Sequence, residues 1–211
     1  MTGDRRQGTE IQWRKVFYLI PTLFLFLAGC ATQQLKIAPD PLAAWQLHQA
    51  AMDKVHAWQM QGLLGVRLPK QAFSANYHWQ QAGAVYTINL YGPLGIGATE
   101  LNGNSSRVTL ELHDGRLLTA DNAQDLMQAN LGWSLPVNGL IYWVRGIPLP
   151  NIPAEISLNQ YGLAATLQQQ GWNIQYLEYQ IQDGWPYPRK MRLQNGNLSL
   201  TVVVNGWLKK N

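Results

Sequence analysis

From Ala57 onward the chain sets an apolar residue at nearly every second position, and that period restricts it to antiparallel β structure with one face buried. The clearest run is Ala72–Gln80, where Phe73, Ala75, Tyr77 and Trp79 alternate with Ser74, Asn76, His78 and Gln80. Val85–Tyr91 repeats the pattern, with Tyr86, Ile88 and Leu90 on one side. Further strands are expected at Gln59–Leu68, Ala98–Leu101, Val108–Leu112, Arg116–Thr119, Glu155–Asn159, Leu163–Gln170, Gly171–Gln182, Arg189–Leu193 and Leu198–Val204. His113-Asp114-Gly115, Asp183-Gly184 and Asn195-Gly196 supply turn chemistry between them. Gly62 and Gly65 mark the first strand as one that bends or bulges, and a parity shift within Trp172–Ile181 marks a second bulge.

Helical spacing interrupts this pattern in two places. Asp40 is expected to cap a helix over Pro41–Val55, with Leu42, Trp45, Gln49, Met52 and Val55 near one face. Between the sixth and seventh strands two short helices are expected. Asp121 caps the first, which carries Ala123, Leu126 and Met127 and ends at Gly132; Asn138 caps the second, which carries Leu140, Ile141, Trp143 and Val144 and closes at Gly146. The expected fold class is mainly β with a helical lid.

The amino terminus follows different rules. Arg5, Arg6, Arg14 and Lys15 form a basic leader, Val16–Leu27 is an apolar run too short to span a bilayer, and Leu27-Ala28-Gly29-Cys30 follows. That order reads as a signal peptide over residues 1–29 with a lipobox. Cys30, the single cysteine, is the expected lipid anchor, bearing S-diacylglycerol and N-acyl groups. Residues 30–39 are expected to form a tether and residues 40–211 a single domain. Ala31 after the cysteine favours the outer membrane over retention in the inner one.

Charge narrows the function classes. The first 29 residues hold 4 of the 16 basic and 2 of the 12 acidic residues, leaving 12 against 10. No basic stripe with interleaved aromatics remains, so nucleic acid is not an expected partner. No G-x-S-x-G, H-E-x-x-H or G-x-x-x-x-G-K-[ST] pattern occurs, and His78 has no second histidine at ligand spacing, so neither a catalytic nor a metal site is expected. Nine tryptophans and nine tyrosines against 13% charged residues fit either an aromatic lining or an aromatic core. Pro93, Leu94 and Gly95 stand in a connection that is unusually apolar for a hairpin; Leu94 either tucks into the core or protrudes as an apolar tip.

Several motifs, in order, resemble the LolB family of outer-membrane lipoproteins. They are the lipobox at Cys30, Tyr77-His78-Trp79-Gln80-Gln81, Leu90-Tyr91-Gly92-Pro93-Leu94-Gly95 and Thr119-Ala120-Asp121-Asn122-Ala123. Gly132-Trp133-Ser134-Leu135-Pro136-Val137, Leu140 to Pro148, Gly171-Trp172 and a closing strand ending at Trp207 complete the set. The resemblance implies a curved antiparallel sheet of about eleven strands, an incomplete barrel over an apolar cavity. It implies a monomer that takes lipoproteins from the periplasmic carrier LolA, shelters their acyl chains, and inserts them into the inner leaflet of the outer membrane. Cargo lipoproteins and outer-membrane phospholipid are then the other partners, with no cofactor. By the same resemblance Pro93-Leu94-Gly95 is the membrane-insertion loop. Cavity walls are expected on Phe73, Tyr77 and Trp79, on Tyr86, Ile88 and Leu90, and on the lid residues Leu126 and Trp143. Each could equally be plain core, and a structural envelope lipoprotein with a filled β core is the alternative reading.

Overall fold

The computed structural model describes residues 34–92 and 97–209. Cys30 and the Pro93-Leu94-Gly95 tip lie outside them. Residues from Gln34 on form one compact unit, which contains the whole of the described core.

Helix α1 (Pro41–Asp53) begins as expected: an Asp40 carboxylate oxygen accepts from the N–H groups of Leu42 (3.0 Å) and Ala43 (3.1 Å). Its buried face is Trp45, His48 and Met52. Leu42 is 60% exposed and Gln49 half-buried, which corrects the expected stripe. The helix is turned because His48 finds a polar partner inside the fold, described below. The chain is already fastened ahead of α1, where the Ala38 N–H donates to the Gln160 carbonyl at 2.9 Å.

Eleven strands follow: β1 (Ala57–Arg67), β2 (Ala72–Ala82), β3 (Val85–Tyr91), β4 (Thr99–Gly103), β5 (Val108–Glu111), β6 (Leu117–Ala120), β7 (Glu155–Leu158), β8 (Ala164–Gln169), β9 (Trp172–Gln182), β10 (Trp185–Asn195) and β11 (Leu198–Lys209). They make one antiparallel, curved sheet in the order β6-β5-β4-β3-β2-β1-β11-β10-β9-β8-β7. Two meanders are thus joined by β1 and β11, the first and last strands of the chain. The outer strands β6 and β7 do not pair, so the barrel stays open. Two short helices, α2 (Ala123–Leu131) and α3 (Val137–Trp143), connect β6 to β7. α2 packs on β5 and β6, and α1 touches β7. Apolar residues from all three helices join the concave face of the sheet in a single core.

Local chemistry explains the details. The expected bulge at Gly62 is present, with the β1–β11 register shifting between Gln61 and Gly62. A Cβ at Gly62 would run into the Val203 carbonyl, so only glycine lets the two strands approach. The β9 parity shift also corresponds to an irregularity, opposite Pro188 to Met191. Strand β10 starts at Trp185 and not at Arg189, despite Pro186 and Pro188. Its first five residues face β9 alone, since pairing with β11 begins at Lys190, and there a proline sacrifices little of the ladder.

Both expected lid caps need correction. Asn122, not Asp121, caps α2: its side-chain oxygen accepts from the Asp125 N–H at 2.8 Å. Asn138 lies inside α3, which starts at Val137 after Pro136 and has no side-chain cap. Gly132 ends α2 in a left-handed conformation (φ 74°), as its position suggests.

Candidate functional site

The sheet and α3 line a small apolar cavity. β1 supplies Met60 and Leu64, β2 Tyr77 and Trp79, β3 Ile88 and Leu90, and β11 Val202; Leu135, Leu140 and Val144 close it from the helical side. These strand residues share a wall because period-two alternation aims them all at the concave face. Leu140 and Val144 meet it together because they are four residues apart around α3. The free volume is only about 20 Å³, roughly room for the centre of one water molecule. With only apolar side chains around it, such a space stays dry, as wetting would require polar partners. Anything larger than a water molecule fits only if the helices yield.

Of the eight residues expected to wall a cavity, Tyr77, Trp79, Ile88 and Leu90 meet here. Phe73 stands at the open end of β2, 38% exposed and edge-on to Trp133 at 5.5 Å. Tyr86 lies against Gly103, where a Cβ would strike its ring. Leu126 is buried within the core. Trp143 is fixed elsewhere: its indole N–H donates to Gln169 Oε1 at 2.9 Å, and its ring covers Gly139. Sequence reasoning missed Met60, Leu64 and Val202, although their strands carry the same alternation. Leu135 lies between helices where no period marks it.

The attachment of the lid was not foreseen at all. Arg145, just past α3, is 4% exposed. Its Nη1 donates to the carbonyls of Met52 (2.6 Å) and Val55 (2.9 Å) at the end of α1, and its Nε to Ile141 (2.9 Å). The guanidinium also lies 4.8 Å from the Tyr142 ring centre. Its charge is therefore met by carbonyl dipoles at a helix C-terminus, with no carboxylate within 4.0 Å among the described residues. Burial pulls its pKa down, yet an arginine stays charged. His48 adds a second tie: Nε2 donates to the Arg145 carbonyl at 3.2 Å, leaving Nδ1 buried without a partner. Burial lowers the His48 pKa to about 4, against the opposing pull of that hydrogen bond. α1 and α3 are thus pinned to each other beside the cavity.

Among the described residues no group of three or more His, Cys, Asp or Glu could hold a metal ion, and no helix is long and apolar enough to cross a membrane.

A family model described as "Outer membrane lipoprotein LolB" matches residues 56–207, which takes in both lid helices and every strand but the last two residues of β11. The chain belongs to the LolB family. Curated LolB relatives include the outer-membrane lipoprotein of Stutzerimonas stutzeri, 37% identical over 90% of this chain and 93% of its own. That of Francisella tularensis is 38% identical over 94% and 97%. A solved LolA superfamily protein from Nitrosomonas europaea shares the fold alone, with a TM-score of 0.53 at 6% identity over 79% of this chain and 93% of that one. As a LolB-family member this chain is an outer-membrane lipoprotein of the lipoprotein-localisation system, not an enzyme.

Proposed function

We propose that the chain receives lipoproteins from the periplasmic carrier LolA, holds their acyl chains between sheet and lid, and releases them into the inner leaflet of the outer membrane. The supporting observation is the small apolar space between the sheet and α3, beside which one arginine and one histidine tie α3 to α1. Each methylene moved from lipid to water costs about 0.8 kcal/mol, so a long acyl chain carries on the order of 10 kcal/mol. Free crossing of the periplasm is prohibitive, and a protein host that opens to admit the chain removes most of that barrier. The nearly filled space gives the host a favourable empty state: when the chain leaves, α3 settles back on Tyr77, Trp79 and Ile88, which are buried in this state. Acyl binding is weakened by the free energy of that closure, so a bilayer wins the cargo without nucleotide hydrolysis. In this reading residues 1–29 are removed, Cys30 carries the anchor, and Leu94 in the β3–β4 connection enters the membrane during delivery.

One experiment reads both halves. The unanchored chain beginning at Gln34 should take up a fluorescent long-chain fatty acid and lose it to competing palmitate. Leu94→Glu should leave that uptake and cargo acceptance from LolA unchanged while reducing delivery to liposomes severalfold. No uptake would mean a permanently filled core. Undiminished delivery would remove the role of Leu94.

A further inference from the structure

The sheet presents an unused cationic hollow on its outer face. The registers align Gly65, Thr201 and Arg192 in one row across β1, β11 and β10, and Arg67, Ser199 and Gln194 in the next. All six side-chain positions point away from the core, because Val66, Leu193 and Leu200 between them are buried. Gly65 has no side chain, and Ala72 beside Arg67 has a short one. A groove of about 460 Å³ results, with a guanidinium at each of two diagonal corners. Strand spacing and rise place the two arginine Cα atoms about 12 Å apart, close enough for both side chains to grip one phosphate. Neither arginine has a carboxylate within 4.0 Å among the described residues; the acids of the two described ion pairs, Asp114 and Glu178, belong to Arg116 and Arg189. Lys70 stands exposed in the turn that follows Arg67.

Position singles out the partner. The β1–β2 turn, the β10–β11 turn and the β3–β4 connection all open at the same end of the sheet, since Arg67 opposes Ala72, Asn195 opposes Leu198, and Tyr91 opposes Asn76. Phe73 edges the hollow at that end only through the strand it sits on: it pairs with buried Val66, and its ring turns to the concave face, against Trp133. Unpaired cations at the end of the sheet that carries the β3–β4 connection complement the phosphate layer of a bilayer, whose phosphates lie above the first methylenes.

We propose that Arg67 and Arg192, aided by Lys70, form a docking site for anionic phospholipid headgroups, setting this end of the sheet against the membrane. The proposal deepens the delivery reading above and rests on it. It is tested with the chain beginning at Gln34 in flotation with vesicles of phosphatidylcholine, with and without phosphatidylglycerol. The wild type should prefer the anionic vesicles, and the preference should fade as salt rises. Arg67→Gln with Arg192→Gln should lower affinity for them about 30-fold, at about fivefold per lost near-surface charge. Lys54→Gln with Lys209→Gln removes equal charge at the opposite end of the sheet and should change binding little. Equal loss in both double variants would reduce the effect to net charge and overturn the site. So would a first double variant that binds vesicles normally, including one that instead fails to accept cargo from LolA, which would make the hollow a protein-docking surface. Fatty-acid uptake, measured on the same samples, keeps the two readings apart: its absence defeats the cavity function, and its retention with unaltered vesicle binding defeats only the headgroup site.

Discussion

His48 carries its burial as a liability in acid. Nε2 must bear the proton it donates to the Arg145 carbonyl, so further protonation falls on Nδ1, which has no partner. With a folded pKa of about 4 against 6.5 unfolded, the ring is neutral in both states above pH 6.5. As pH falls from 6.5 towards 4, the unfolded chain takes up this proton first and stability drops, by up to about 3 kcal/mol. Thermal unfolding across that range should therefore lose Tm in the wild type more steeply than in His48→Gln. Equal slopes would show that His48 is not the responsible group.

At the scale of elements, the helices behave as parts held by few ties. Arg145→Leu would leave the carbonyls of Met52, Val55 and Ile141 without their donor, an expected loss of about 1–3 kcal/mol concentrated between α1 and α3. Amide exchange in α3 should accelerate accordingly, and fatty-acid uptake should speed up about tenfold for each 1.4 kcal/mol lost. Unchanged exchange would mean that packing, not Arg145, holds the lid. The strands were legible from sequence because alternation is a repeated signal that survives errors at single positions. The N-cap of α2 was not, because Asp121 and Asn122 are both competent and only the helix trajectory selects the second. The same contrast divides the site. Tyr77, Trp79, Ile88 and Leu90 follow from strand period alone. Arg145 does not, since its partners are main-chain carbonyls that any sequence would supply. Nor could spacing separate Trp143, anchored by Gln169, from a cavity wall; both are buried apolar positions on a helix.

For the whole molecule the decisive feature is the seam between β1 and β11. Gly62→Ala would drive a methyl group into the Val203 carbonyl at the bulge, with an expected loss of about 1–3 kcal/mol in denaturant unfolding. A loss below 0.5 kcal/mol would mean that the seam tolerates repacking. Trp79, Trp58, Trp207 and Tyr187 form a continuous aromatic run across this join, with successive ring centres 5.2, 4.9 and 4.6 Å apart. The seam brings together residues separated by nearly the full length of the domain, a pairing that closes late because its loop entropy is large. A translocated chain arrives amino terminus first, so β1 must wait with one edge bare until the final strand clears the export channel. A stop codon within the last dozen residues of β11 would then cut away the keystone of the arch, not a fringe, and turn an otherwise full-length product into a substrate for periplasmic proteases.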